Sequence, residues 1–305
     1  MTRRQGSAPT YRLEVGTAGS GKPMLDIALD GRGPPDGPGL PFLGGDYDRE
    51  CWDAPEDQLC AIVMSEPDDP GADAADAAEI LYRRLIRTLE ESRFGYPLRL
   101  WNYFPAINRG SDDRERYRRF CVGRGRALEA AGLNDARMCA ATAIGSEQPV
   151  MQLVALAGVS PGISIENPRQ VSAWNYPRCY GPRQPAFARA TGIDLESGRV
   201  GLLISGTASV IGHATAHPGD ALAQTDEAAS NLDALLGHAA GVMNRPALGR
   251  FNGNSLARVY VRNAQDWPAI EQRLRRRWPS LRLCGLRGDI CRDNLAVEIE
   301  AWHTA

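Results

Sequence analysis

Lysine is almost absent from this chain of 305 residues, in which Lys22 is the only one. Schiff-base chemistry with pyridoxal phosphate or a carbonyl substrate needs a lysine held inside a site. Lys22 lies in a Gly-rich N-terminal stretch, so the sequence argues against that chemistry. Arginine supplies nearly all of the positive charge, and its planar fork suits bidentate recognition of carboxylates.

Long apolar runs and basic tracts are also lacking. No stretch approaches the ~18 to 20 apolar residues that span a bilayer, and Met1 to Arg4 are not followed by an apolar signal core. The net charge is -2, and no tract is basic enough to attract nucleic acid or an anionic membrane. We therefore expect a cytoplasmic protein whose partner is a small molecule or another protein.

Signatures of nucleotide, metal and disulfide sites are incomplete. The stretch GTAGSGK lacks the Ser or Thr that a phosphate loop needs after its lysine, since Pro23 follows. His213 and His217 have a spacing that could bind a metal, but no third ligand is evident, so structural or surface histidines are favoured. The seven cysteines are scattered and never form a C-x-x-C pair, which predicts reduced, mostly buried thiols.

Secondary-structure patterns occur in the same order in both halves of the chain, which predicts two copies of one scaffold, in domains of residues 1–158 and 159–305. The order is strand or strand pair, helix, strand, helix, strand, strand. In the first half these elements are predicted at 59–66, 73–93, 98–108, 112–131, 136–145 and 150–158. In the second half they are predicted at 187–210, 219–242, 255–263, 266–278, 282–290 and 295–302. The Gly- and Pro-rich segment 31–48 is predicted to be a long surface loop.

The last strand, LAVEIEAWH, places two carboxylates on one face, because alternation puts Glu298 and Glu300 on the same side. When the strand is superposed on its counterpart in the first half, Gln152 falls opposite Glu298 and Val154 opposite Glu300. Only the second copy therefore carries acids. Two interpretations stay open: an edge strand with one wet face, or a proton donor kept neutral by burial and by its like-charged neighbour.

A segment rich in arginine and aromatic residues, AWNYPRCYGPRQPAFARAT, runs from Ala173 to Thr191, and its prolines and glycine exclude a helix. Its relevant side chains are Tyr176, Arg178, Tyr180, Arg183, Phe187 and Arg189. Such a loop would suit a ligand with more than one carboxylate, with Phe187 covering a ring. A linker with solvated arginines is the alternative, and composition alone favours it slightly.

Several motifs together resemble known proteins. The strand ISG, the helix QTDEAASNL and the strand VEIEA resemble the reactive-intermediate deaminase fold, and the stretches LWNYFPAIN, SAWNYPRCYGPRQPAFARATGI and ISGTASVIGHAT resemble the chorismatase family. The resemblance implies an α+β fold of two tandem deaminase-like domains, each a mixed β-sheet with helices on one face. It also implies an enzyme that removes pyruvate from chorismate without a cofactor or metal.

The same resemblance implies roles for individual residues. Glu298 would protonate the methylene carbon of the enolpyruvyl ether. Gly206 and Cys291 resemble the pattern of members that form 3-hydroxybenzoate, sometimes with 4-hydroxybenzoate. The implied substrate contacts are Tyr176, Tyr180, Arg183, Phe187 and Arg189, with Asn102 and Tyr103 reaching in from the first domain.

Three other functions are weighed against 3-hydroxybenzoate formation. One is hydrolysis of chorismate to a dihydroxycyclohexadiene carboxylate. Another is imine hydrolysis, in which Arg282 before Leu283 and Cys284 would hold a carboxylate. The third is a binding protein without catalysis. We expect a monomer or a trimer.

Overall fold

The computed structural model describes residues 16–17, 23–27, 40, 42–45, 50–53, 58–195 and 198–305. Lys22 lies outside these residues. The fold is α+β, as predicted, and is built on two mixed sheets. Within the described residues, no helix combines the length and the apolar character needed to cross a membrane. No disulfide joins the six cysteines at positions 60, 121, 139, 179, 284 and 291.

The described residues of the first half form eight strands and two α-helices. These are β1 (Gly16–Thr17), β2 (Pro23–Ile27), β3 (Phe42–Gly45), β4 (Glu50–Asp53), β5 (Leu59–Pro67), α1 (Ala74–Glu90), β6 (Tyr96–Pro105), α2 (Arg116–Ala130), β7 (Ala140–Ser146) and β8 (Val150–Gly158). Asp73 begins α1 as its N-cap, because its side chain accepts a hydrogen bond from the Ala75 backbone N–H at 3.0 Å. Leu81, Leu85 and Leu89 form the buried stripe of that helix.

Apart from residues 196–197, which are not described, the second half forms nine strands and two α-helices. These are β9 (Ile163–Ile165), β10 (Ala190–Asp194), β11 (Val200–Ala208), β12 (Val210–Ile211), β13 (Ala214–Thr215), α3 (Ala221–Val242), β14 (Leu256–Val261), α4 (Trp267–Arg277), β15 (Arg282–Arg287), β16 (Asp289–Ile290) and β17 (Val297–Thr304). Pro268 lies in the first turn of α4, where a missing backbone N–H costs no helical hydrogen bond.

The two large sheets repeat one topology. One has the order β16-β7-β6-β8-β5 and the other β3-β15-β14-β17-β11-β10-β9, so β7-β6-β8-β5 corresponds to β15-β14-β17-β11. The first pair is parallel and the next two are antiparallel in both sheets. Tyr103 pairs with Gln152 and Tyr260 with Glu298, so Gln152 and Glu298 hold equivalent positions. The repeat predicted from the sequence is confirmed.

The sheets face each other, and the helices cover their outer sides. One core lies between α1, α2 and the first sheet, and a second lies between α3, α4 and the other sheet. A third core fills the space between the sheets and includes Trp101, Tyr103, Tyr260 and Trp302. Side chains on the inner face of a strand are therefore buried as fully as those facing the helices.

Two short strands each pair with the sheet that is formed mainly by the other half of the chain. Strand β3 pairs with β15 at the edge of the second sheet, although it belongs to the segment 31–48 that was predicted to be a surface loop. That prediction is wrong for Phe42–Gly45, which lies beyond Pro41 and contains no proline, so its backbone can pair at a sheet edge. Strand β16 pairs with β7 in the first sheet. The division at residue 158 therefore stays a prediction.

Candidate active site

A cavity of about 480 Å³ lies where the two halves of the chain meet. Its wall includes side chains from the central strand β17, the bulged strand β11, the arginine-rich segment and the loop after β6. Seven predicted site residues line it: Tyr176, Tyr180, Phe187, Arg189, Gly206, Cys291 and Glu298. The structure thus brings together residues that are up to 122 positions apart in the sequence.

Glu298 lies on the inner face of β17 with only 4% of its surface exposed. Burial, followed by the negative charge of Glu300, raises the pKa of Glu298 to about 8, although Arg99 and Arg189 act in the opposite direction. No hydrogen bond from another described residue contributes to this pKa. At neutral pH the Glu298 side chain is therefore a carboxylic acid that can donate a proton.

Gly206 lies directly beneath this acid. The pairing of β11 with β17 is irregular between Ile204 and Thr207, and this bulge carries Gly206. A Cβ atom at Gly206 would overlap the Oε1 atom of Glu298. Glycine is therefore required if the carboxyl group is to lie against the backbone of β11.

Glu300 has the opposite environment, although it lies on the same face two residues away. Its carboxylate accepts hydrogen bonds from Arg99 Nη2 at 2.6 Å, Thr142 Oγ1 at 2.5 Å, Trp101 Nε1 at 2.8 Å, Arg258 Nη1 at 2.8 Å and Tyr260 Oη at 2.9 Å. Burial would raise the pKa of Glu300, but these arginines and donors hold it below the usual value. Glu300 is an ionised structural group that joins the two sheets.

The edge-strand interpretation of the two acids is wrong. Strand β17 lies between β14 and β11, and every residue of Val297–Thr304 is buried. The alternation of side chains along the strand identified the face that Glu298 and Glu300 share. It could not show that this face meets a second sheet rather than water.

Arg189 is buried at the cavity wall, which contradicts a solvated linker at this position. Only 4% of its surface is exposed. Its Nη2 donates to the Val171 carbonyl and to Tyr176 Oη, each at 2.8 Å, while Nε has no hydrogen-bond partner among the described residues. The guanidinium also lies 5.0 Å from the centre of the Phe187 ring. By contrast, Arg178 is exposed and pairs with Asp113.

Arg292 was not predicted, yet it completes the basic side of the cavity. Its guanidinium carbon lies 4.1 Å from the centre of the Tyr180 ring and 5.4 Å from that of Tyr176. Its Nη1 donates to the His213 carbonyl and to Thr215 Oγ1. Its position beside Cys291 in DICRDN was the one available signal in the sequence.

Other cavity residues also escaped prediction: Asn108, Glu115, Tyr117, Arg118, Gln170 and Thr215. Most of them come from the loop after β6 and the start of α2, where only Asn108 belongs to a motif, as the last residue of LWNYFPAIN. Asn108 crosses between the halves, because its Nδ2 donates to the Ile290 carbonyl at 3.0 Å. The first half therefore supplies one wall of the cavity.

Cys291 lies on this wall as a neutral thiol. Burial and the neighbouring Glu298 raise the pKa of the Cys291 thiol far above its ordinary value. Burial likewise raises the pKa of Tyr117, which also lines the cavity. Neither group is a thiolate or phenolate nucleophile at neutral pH.

Three predicted contact residues do not reach the cavity. Arg183 is held in ion pairs with Glu129 and Asp135. Asn102 faces the helices, where it accepts a hydrogen bond from Tyr82 Oη at 3.0 Å. Tyr103 faces the second sheet, and its hydroxyl lies 3.1 Å from that of Tyr260. These placements remove Arg183, Asn102 and Tyr103 from the set of substrate contacts.

The chain is similar to known proteins along most of its length. A family model described as chorismatase FkbO/Hyg5-like, N-terminal, matches residues 46–157. A 3-hydroxybenzoate synthase of Streptomyces hygroscopicus is 39% identical over 238 residues, which cover 74% of this chain and 68% of that protein. A chorismatase of the same organism is 39% identical over 263 residues, which cover 82% and 73%. A solved structure of a chorismatase superposes with a TM-score of 0.73 at 30% identity and covers 86% of each chain.

Proposed function

Since this chain belongs to the chorismatase family and is a chorismate-cleaving enzyme, we propose that it converts chorismate to 3-hydroxybenzoate and pyruvate, with Glu298 as the proton donor. The observation that carries the mechanism is the state of Glu298. It is a buried carboxylic acid with a raised pKa of about 8 on the wall of a cavity shared by both halves. General acid catalysis requires a group that is protonated at the working pH and reaches the reacting atom.

In the proposed reaction, Glu298 donates its proton to the methylene carbon of the enolpyruvyl ether. The electron pair of the carbon–carbon double bond forms the new C–H bond, and the ether carbon becomes an oxocarbenium ion. The Glu298 carboxylate that remains lies within reach of the positive charges of Arg99 and Arg189, which favour its ionised form. Proton transfer therefore leaves a negative charge on Glu298, and the two arginines stabilise that charge.

The neighbouring ring hydroxyl captures the cation and loses its proton, which returns to the Glu298 carboxylate, and a cyclic ketal forms. The ring carbon that bears the ether oxygen then loses a proton, and the bond between the ring and the former hydroxyl oxygen breaks, which makes the ring aromatic. That oxygen takes up the proton, and collapse of the remaining hemiketal releases 3-hydroxybenzoate and pyruvate. The two products together contain all the atoms of chorismate, so the overall change consumes no water and needs no oxidant. Capture by water would instead consume one water molecule and release a dihydroxycyclohexadiene carboxylate with pyruvate. Pyruvate is released once per turnover on either path.

Two wall residues favour capture by the ring hydroxyl. Gly206 leaves the Glu298 carboxyl against the backbone, where a larger residue would displace it. Cys291 presents a neutral thiol, which behaves as a small apolar group and offers a water molecule only weak hydrogen bonding. The 39% identity to a protein named 3-hydroxybenzoate synthase supports the same product.

The two carboxylates of the substrate are assigned to the basic side of the cavity. Arg189 and Arg292 lie there with Tyr176 and Tyr180, and Arg189 retains an unused Nε donor among the described residues. Charge-assisted hydrogen bonds from arginine to carboxylate are among the strongest polar contacts in proteins. Phe187 is placed to cover the ring.

The test is incubation of the purified protein with chorismate, without added metal or cofactor. Pyruvate is followed by a coupled assay, and ring products are separated by chromatography. We expect pyruvate and 3-hydroxybenzoate in equal amounts. Pyruvate with the dihydroxycyclohexadiene carboxylate would overturn the proposed product, and absence of pyruvate would overturn the proposed reaction.

A further inference from the structure

Arg262 directly follows β14. Its guanidinium group uses all five N–H donors, four of them on residues 289–295 and one on Asn108. Arginine has five such donors in a fixed planar fork. Nε donates to the Leu295 carbonyl at 2.9 Å, Nη1 to Asn108 Oδ1 at 3.1 Å and Asp289 Oδ1 at 2.5 Å, and Nη2 to the Ile290 carbonyl at 3.2 Å and the Arg292 carbonyl at 3.0 Å.

The segment that Arg262 organises is the one that carries the predicted product-determining thiol. Residues 291–295 all line the cavity. The carbonyl groups on both sides of Cys291, those of Ile290 and Arg292, are bound by the same Nη2 atom. The Cys291 backbone is therefore held on both sides by a single guanidinium group.

The guanidinium also ties this segment to the first half of the chain. Asn108 accepts from Arg262 and donates to the Ile290 carbonyl, and β16 pairs with β7 in the first sheet. Arg262 does not line the cavity itself. Any influence it has on the reaction must act through Cys291, Arg292 and Asn108, which do.

We propose that Arg262 is the positioning residue that decides between ring-hydroxyl and water capture, because it holds Cys291 at the cavity wall. This inference rests on the proposed function. Backbone carbonyls that lose their donor inside a protein must find another partner, and the segment then shifts. A displacement of ~1 Å at a reacting centre is enough to change rates by ~100-fold, so a smaller shift is enough to admit water.

The experiment is Arg262→Lys, with ring products and pyruvate measured from the same reaction. Lysine keeps the charge but has three donors on a single nitrogen, which cannot span five acceptors. We expect the dihydroxycyclohexadiene carboxylate, which the unmodified protein should not form, to become a measurable share of the ring products. Because each turnover on either path releases one pyruvate, this share does not depend on how much of the protein is folded.

A purely structural role gives a different result. In that case Arg262→Lys lowers total pyruvate but leaves the product share unchanged, and the inference is overturned. The matched control is Arg277→Lys, because Arg277 joins α3 and α4 through Asp233 and Ser230, which do not line the cavity. It should leave the share as in the unmodified protein. Cys291→Ala should also raise the share, and the size of that increase is the reference with which the effect of Arg262→Lys is compared.

A second variant covers the case in which Arg262→Lys does not fold. Asp289→Asn removes one charged acceptor from Nη1 on a half-exposed side chain and keeps the other four contacts. We expect a smaller rise in the same share, and no change would overturn the role of Arg262. Absence of pyruvate from the unmodified protein would instead overturn the proposed function, and this inference with it.

Discussion

Strands β8 and β17 hold the same place in two sheets of the same topology, but only β17 carries acids on the face between the sheets. Gln152 pairs with Tyr103 in one sheet, and Glu298 pairs with Tyr260 in the other. The surrounding strand order is unchanged. The scaffold therefore does not require a carboxylate at this position, which is consistent with the proposed role of Glu298 as a proton donor.

Within β17 the comparison becomes sharper, since Glu298 and Glu300 are almost equally buried, at 4% and 3% exposed. Five hydrogen bonds, two of them from arginines, keep Glu300 ionised, whereas the pKa of Glu298 is raised. Burial raises the pKa of both groups, and the partners decide which one stays neutral. The ionised member also helps to keep the other protonated, because its charge raises the pKa of Glu298.

The largest expected effect comes from Glu298→Gln, which keeps the shape of the side chain but removes its transferable proton. We expect pyruvate release to fall by about 100- to 10,000-fold, the usual contribution of a general acid. The coupled pyruvate assay measures this. Glu271→Gln, on the outer helix α4, is the control and should retain full activity. Activity within a factor of two of the unmodified protein would exclude Glu298 as the donor.

Glu300→Gln should damage stability instead, because it leaves Arg99 and Arg258 buried without their anion. Breaking such a pair costs about 3–5 kcal/mol of unfolding free energy. Denaturant unfolding of both glutamine variants at pH 8 provides the contrast. Equal losses in the two variants would mean that the two acids do not differ as described.

Glu298→Gln should be more stable than the unmodified protein at pH 8. The folded-state pKa of Glu298 is raised from 4.5 to about 8, so the folded protein binds a proton that the unfolded chain has lost at intermediate pH. Stability from this group is therefore full below about pH 4.5 and declines as the pH rises towards 8. Glutamine removes that decline, and a pH series of unfolding curves measures it.

The pH dependence of catalysis should follow the same group. The neutral acid is the active form, so kcat/KM should be constant on the acidic side of about pH 8 and fall tenfold per pH unit above it. Any variant that removes the charge of Glu300 and still folds should move this decline to lower pH. A decline that begins near pH 5 would show that Glu298 is ionised in the free enzyme.

Much of this arrangement could be predicted from the sequence, because its signals are local. Hydrophobic periodicity identified the helices and strands, and the repeated order identified the two matching sheets. Alternation placed Glu298 and Glu300 on one face, and the arginine-rich segment pointed to Tyr176, Tyr180 and Arg189. Local signals, however, do not specify which surface a face will meet. Asn102 and Tyr103 were assigned to the site although they face the helices and the second sheet.

Contacts between residues that lie far apart in the chain were the other feature that could not be predicted from the sequence. Arg183 forms ion pairs with two acids, Glu129 and Asp135, which lie 54 and 48 positions away in the chain. The carbonyl groups that Arg262 binds belong to residues 290, 292 and 295, which lie 28 to 33 positions away in the chain. Nothing in the sequence distinguishes an arginine committed to a distant carboxylate from one that is available to a ligand.

Arg183→Ala should therefore have the smallest effect, although the sequence placed Arg183 in the substrate clamp. Its guanidinium is already paired with two acids, and 27% of its side chain is exposed, so we expect KM to change less than ~2-fold and stability to fall by about 1 kcal/mol or less. Arg292→Ala, which removes a cation from the cavity wall, should raise KM at least ~10-fold. Chorismate saturation curves for both variants separate the two arginines. A larger increase in KM for Arg183→Ala than for Arg292→Ala would mean that the substrate displaces the acids now paired with Arg183, and the clamp would have to be reassigned.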